Sequence, residues 1–131
     1  MPEFSFKKGE RLSSKKAISS LFQSGRSVAS YPIRIIYSQT ESEQYPAMVA
    51  ISVPKRLFKK AVDRNLLKRR IRETYRRNKP EFYTSLQRSN TQIIMVILYQ
   101  HKEILDYRTV EKGVKMALDQ LLQKLEKRTN E

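Results

Sequence analysis

The chain has 131 residues, with 27 Lys and Arg against 13 Asp and Glu, a formal charge of +14. That length suits one domain, residues 1–131, with a single modest core. A content of 39% hydrophobic and 31% charged residues argues against a fully disordered chain. The absence of cysteine excludes a disulfide framework and thiol chemistry, and the single histidine, His101, excludes a His-cluster metal site.

The N-terminus lacks the apolar stretch of a secretory signal. Residues 13–24 open with Ser13-Ser14 as N-cap candidates and place Ala17, Ile18, Leu21 and Phe22 on one helical face, with Gly25 where a helix would end. Residues 31–37 alternate, with Ile33, Ile35 and Tyr37 on one side, and residues 26–30 could add an edge strand. After a polar loop over 38–44, residues 45–53 alternate again through Ala47, Val49, Ile51 and Val53. Pro32 and Pro54 bound these two segments, which read as an antiparallel hairpin.

A basic segment from residue 59 to about 78 reads as a helix that Pro80 would stop. Residues 93–99 are apolar without alternation, which suits a strand buried on both faces. They fall far short of the roughly 20 apolar residues that cross a bilayer, so a soluble, cytoplasmic chain with no membrane partner is expected. Tyr107, Val110, Val114, Ala117, Leu118, Leu121 and Leu125 form one stripe of a final helix. That stripe is too short for a persuasive coiled coil and is expected to pack on the sheet. The elements then run α-β-β-α-β-α in one α/β (α+β) domain.

Charge is concentrated in one place. Residues 55–79 hold 12 cations and two anions, Asp63 and Glu73, a net +10 of the total +14. Such a run can be a merely solvated face, but cations this dense repel one another unless a polyanion lies over them. On a helical wheel Leu67, Ile71 and Tyr75 fall within about 80° of each other and would face the core. Asn65, Arg69, Arg72 and Arg76 gather on the opposite side, Lys68 flanks them, and Arg64 lies near the core stripe. Lys55, Arg56, Lys59 and Lys60 sit just before the helix. Arginine's planar donor fork suits two phosphate oxygens or a base face.

These residues resemble a known signature. Ser52-Val53-Pro54-Lys55-Arg56, followed by Ala61-Val62-Asp63-Arg64-Asn65-Leu66-Leu67-Lys68-Arg69-Arg70-Ile71-Arg72-Glu73, resembles the signature helix of the bacterial ribonuclease P protein subunit. Arg64, Asn65, Lys68, Arg69, Arg72 and Glu73 keep the pattern. Leu66 stands where the family usually has a second arginine, and Phe58-Lys59-Lys60 where many members have a glycine. Arg11-Leu12, Phe22, Gly25-Arg26-Ser27-Val28 and a strand ending in Tyr37 also look like the family's opening.

The resemblance implies a two-layer sandwich with a mostly antiparallel sheet of three to four strands, similar to a ribosomal-protein domain and carrying a left-handed β-α-β crossover. It implies an accessory RNA-binding subunit of an endoribonuclease ribonucleoprotein that removes the 5′ leader from precursor tRNA. In that family the RNA subunit is catalytic and holds the magnesium, so no catalytic residue, no metal ligand and no small-molecule substrate are expected in this chain. The residues agree, since the 13 acids are scattered where two-metal phosphodiester chemistry needs them clustered. His101 reads as a surface loop residue after the last strand.

Two RNA-facing surfaces are implied. Arg64, Asn65, Lys68, Arg69 and Arg72 would meet the catalytic RNA, with Lys55, Arg56, Lys59, Lys60 and Arg76 beside them. A cleft between the first helix and one sheet face would hold the single-stranded leader, through Ile18, Phe22, Ile36 and Tyr37 with Lys15, Lys16 and Arg34 around them. Ile18 and Phe22 could equally be core, and the strand register decides whether Ile36 or Tyr37 faces the cleft. A ribosomal or other structural RNA-binding module, and a DNA binder reading the major groove with its basic helix, are the competing readings.

Overall fold

A computed structural model describes residues 8–41 and 44–130 of the chain. In chain order it contains α1 (Lys15–Ser24), β1 (Arg26–Ser30), β2 (Ile33–Thr40), β3 (Ala47–Ser52), α2 (Ala61–Arg88), β4 (Gln92–Tyr99) and α3 (Tyr107–Asn130), after a 3₁₀ turn at Lys8–Glu10. The four strands form one mixed sheet in the order β1-β2-β4-β3. The β1–β2 and β2–β4 pairings are antiparallel, and β3–β4 is parallel, so β3-α2-β4 is a β-α-β crossover.

The expected hairpin between residues 31–37 and 45–53 is therefore not formed, because β4 lies between β2 and β3. Ile93, Met95, Ile97 and Tyr99 are buried on one face of β4 and Val96 on the other. A strand apolar on both sides needs a neighbour on each edge and a helix on each face. The loop begins later than expected, since β2 continues through polar Ser38 and Gln39 to Thr40.

Strand alternation sorts the sheet's side chains into two unequal cores. Val28, Ile33, Ile35, Tyr37, Val49, Ile93, Met95, Ile97 and Tyr99 pack against Leu67, Ile71, Tyr75, Phe82 and Leu86 of α2 and the apolar stripe of α3. The sheet with α2 and α3 makes the two-layer sandwich. On the opposite face Ile36 and Val96 meet Leu12 and Leu21, with Ile18, Met48, Ala50 and Ile94 partly buried around them.

α1 begins at Ser14, whose hydroxyl accepts the Ala17 N–H at 3.2 Å. Gly25 ends it with an extended backbone rather than the left-handed turn typical of glycine there. Glycine is required for space, because a Cβ would lie 2.6 Å from the Leu21 carbonyl oxygen and 2.7 Å from Ile36.

Helix α2 does not stop at Pro80 but runs on to Arg88. A proline inside a helix costs about 3 kcal/mol through its lost N–H bond and ring clash. Phe82 and Leu86 continue the Leu67–Ile71–Tyr75 stripe, and burying two such side chains at about 1.5–3 kcal/mol each offsets that cost. The helix ends instead at Asn90, the one non-glycine residue with positive φ (51°) among those described. Asn90 N–H donates to the Gln87 carbonyl at 3.0 Å and Thr91 N–H to that of Leu86 at 2.9 Å, the paired bonds of a Schellman cap.

Candidate nucleic-acid interface

The loop before α2 is anchored by Phe58, which is buried and stands edge-on to Tyr99 with ring centroids 5.8 Å apart. Arg64 folds back from the first turn of α2, and its Nη1 donates to the carbonyls of Phe58 at 2.7 Å and Lys59 at 2.9 Å. Arg64 thus fixes the loop that carries Lys55, Arg56, Lys59 and Lys60, all four of which are exposed. Lys60 caps α2 without a side-chain bond.

With Leu67, Ile71 and Tyr75 fully buried, the opposite face of α2 must point outward. Asn65, Arg69 and Arg72 are exposed there and Lys68 is half-buried beside them. Arg76 shares the stripe, but Glu73 engages it through Nη2–Oε1 at 2.7 Å and Nε–Oε2 at 3.2 Å. Arg77 Nε reaches the same carboxylate at 3.2 Å. The Arg76 hydrogen bond holds the Glu73 carboxyl below the usual carboxylate range, despite some opposing desolvation, and Arg76's own pKa is raised by that bond. Arg70 turns inward, and its Nη1 donates to the Leu105 carbonyl at 2.5 Å, tying α2 to the segment before α3.

Lys79, in the next turns, is buried and paired with Glu10, Nζ–Oε2 2.9 Å. Tyr83 donates its hydroxyl to the same carboxylate, and burial pushes its pKa well above the ordinary phenol range. Burial does the same to the neighbouring Tyr75. This cluster anchors the segment that leads into α1, where Leu12 N–H donates to the Val49 carbonyl at 2.8 Å along the edge of β3. Sequence periodicity offered no sign of it, since Glu10 and Lys79 are 69 residues apart.

The second surface lies on the α1 side of the sheet. Register places Ile36 there with Val96, under α1, while Tyr37 points to the opposite face and is fully enclosed in the α2–α3 core. Tyr37 is therefore not a cleft residue, because successive strand side chains take opposite faces. Ile36 is itself 7% exposed and belongs to the small core beneath α1. Ile18 is half-buried against that core, whereas Phe22 is 49% exposed and stands clear of it. Lys15, Lys16 and Arg34 are exposed, and Arg34 Nη2 donates to Ser27 Oγ at 3.1 Å.

Phe22 lines a cleft of ≈ 680 Å³ together with Pro54, Arg56, Leu98, His101 and Lys102. Leu98, on the α1 side of β4, and His101 with Lys102 beyond it were missed from the sequence. Their only signal was a position at the end of a buried strand. A wider groove of ≈ 860 Å³ beside Tyr45 and the second half of α2 has Glu10 and Glu81 balanced by Lys79 and Arg88 in its wall, with Lys79 already paired to Glu10, so it offers a phosphate chain no excess of cations. Among the described residues no three His, Asp or Glu side chains gather, and no helix is long and apolar enough to cross a membrane.

The arrangement can neutralise phosphates along an exposed arginine face and hold an unpaired strand in an apolar cleft with cationic rims.

The family model described as Ribonuclease P matches residues 6–126 of the chain. A ribonuclease P protein component from Porphyromonas gingivalis is 34% identical over 119 residues, covering 89% of this chain and 86% of the relative. One from Streptococcus mutans is 36% identical over 108 residues, covering 82% of each. Among solved structures, the ribonuclease P protein of Staphylococcus aureus superposes with a TM-score of 0.70 at 19% identity, covering 86% of this chain and 94% of its own. That of Thermotoga maritima gives 0.65 at 24% identity, covering 85% and 96%. At those identities the two structures support the fold alone.

Proposed function

Because this chain belongs to the ribonuclease P protein family, we propose that its two surfaces serve two RNAs within one ribonucleoprotein. The chain is the RNA-binding protein component of ribonuclease P, an endoribonuclease of tRNA 5′ processing, and its partner is the ribonuclease P RNA. In the proposal, residues 1–131 act as a single RNA-binding domain in the cytoplasm. Asn65, Lys68, Arg69 and Arg72 dock the catalytic RNA, with Lys55, Arg56, Lys59 and Lys60 extending that contact. The cleft of Ile18, Phe22 and Ile36, rimmed by Lys15, Lys16 and Arg34, holds the unpaired 5′ leader of precursor tRNA.

The observation that carries this reading is the rigid outward face of α2. Asn65, Arg69 and Arg72 project from a helix whose other side is locked by Leu67, Ile71 and Tyr75, each 0% exposed. Arg64 acts chiefly by fixing the loop, and Arg76 stands as the edge of the docking face because Glu73 engages it. The residues here do not fit a magnesium site: Glu73 is engaged by Arg76 and Arg77, which leaves only Asp63 as a carboxylate in the basic segment. Magnesium is assigned to the RNA, and the protein's part is to lower repulsion between RNA phosphates and to hold the leader in register.

Adding the full chain to its cognate catalytic RNA is expected to lower the magnesium and salt needed to cleave precursor tRNA. Cleavage unaltered by the protein at physiological salt would overturn the proposal. Sequencing of RNA bound to the native chain should return one discrete RNA; recovery of ribosomal RNA instead would favour a ribosomal module.

A further inference from the structure

Tyr31 is the most exposed aromatic among the large hydrophobic side chains described, at 62%, although the turn that carries it is tightly held. Pro32 is buried, and α3 approaches so closely that a Cβ on Gly113 would lie 2.8 Å from Pro32 Cδ and 2.9 Å from the Tyr31 carbonyl oxygen. An apolar ring presented to water from a clamped backbone is a preformed contact surface, since little ordering remains to be lost on binding. His101 stands edge-on to it, with ring centroids 5.2 Å apart and planes at 82°.

His101 links this ring to the cleft, because it also lines the space below Phe22 with Arg56 and Lys102. Its Nδ1 accepts the Glu103 N–H at 3.0 Å, which puts the ring proton of the neutral imidazole on Nε2 as a donor. The row therefore offers an exposed aromatic at each end, a donor between them and two cations alongside. Alternating ring faces and cations suit an unpaired polynucleotide, whose bases all have a π-face and whose backbone is anionic.

We propose that Tyr31, backed by His101, is a nucleobase-stacking platform that continues the single-strand path beyond Phe22, so that the chain grips leader nucleotides lying outside the cleft. The inference rests on the leader-binding reading given above.

The test uses the holoenzyme reconstituted from the full chain and its RNA, with precursor tRNAs whose leaders either end within the cleft or extend past it. Tyr31→Ala should weaken binding of the long-leader substrate about fivefold or more, the lower end of one stacked base, and leave the short-leader substrate unchanged. Tyr31→Phe should restore long-leader binding. Equal affinity of Tyr31→Ala and the unmodified protein for the long leader, or equal losses on both substrates, would overturn the platform. So would competition by a polyglutamate peptide as effective as that by unpaired RNA. A holoenzyme that binds leaderless and short-leader substrates equally well, before any substitution, would instead remove the leader-binding reading itself.

Discussion

The two faces of the sheet are built from the same strands yet have different fates. The face bearing Ile35, Tyr37, Met95 and Ile97 is sealed by two helices of 28 and 24 residues. Among the described residues, the face bearing Ile36, Val96, Met48 and Leu98 meets α1, a helix of 10 residues, and Leu12 of the segment before it. At 1.5 Å per residue α1 is about 15 Å long, whereas an eight-residue strand runs about 26 Å. It cannot cover the face, so Met48, Ala50, Ile94 and Leu98 remain only partly buried. The sealed face supplies stability, and the uncovered remainder of the other leaves the cleft that Phe22 and Leu98 line.

The comparison can be broken first at the anchor that ties the two sides together. Lys79→Met leaves Glu10 buried without its cation and should cost about 3–5 kcal/mol in denaturant unfolding. Combining it with Glu10→Gln should recover much of that loss, and no recovery would mean the ion pair is not what holds the N-terminal segment. Next, Ile97→Ala on the sealed face should cost about 2–5 kcal/mol, and Leu98→Ala, one residue along and only partly buried, clearly less. Similar losses at both would show that α1 closes its face as completely as α2 and α3 close theirs.

The binding surfaces should respond the other way round. Phe22→Ala should fold normally, as Phe22 is half-exposed, and should weaken leader binding by about 1–3 kcal/mol. Arg69→Ala with Arg72→Ala should leave leader preference intact. It should also weaken binding to the catalytic RNA and make the salt dependence shallower by roughly 0.7–0.9 per lost phosphate contact. An unchanged slope would reduce that face to a solvated one.

The smallest effect concerns Glu73. Its folded-state pKa is lowered by Arg76, so the pair's contribution is fully present above the unfolded carboxylate value and lost as pH falls through the folded one. For so exposed a pair solvent screens the interaction and the loss should be small, measured as the acid-limb difference between the native chain and Glu73→Gln.

Much of this was legible without coordinates, and its limits are physical. The Leu67–Ile71–Tyr75 stripe, the α3 stripe and the doubly apolar β4 are periodic over a few residues, and period directly reports which side is buried. Pro80 misled because the local penalty is visible in sequence, whereas the offsetting burial of Phe82 and Leu86 depends on the sheet and α3. The cleft was only partly legible, since Ile36 and Tyr37 differ by a single step of strand register.

By itself the sequence determined that most of the excess charge lies on one loop and helix, opposite an apolar stripe. Only the tertiary structure decided the strand order, the face Tyr37 takes, and which cations stay outward. Arg64, Arg70, Arg76 and Lys79 are engaged by partners within the fold, while Arg69 and Arg72 face outward. Periodicity is a local property of the chain, but partners such as Leu105 for Arg70 and Glu10 for Lys79 are set by long-range packing, on which local spacing carries no information.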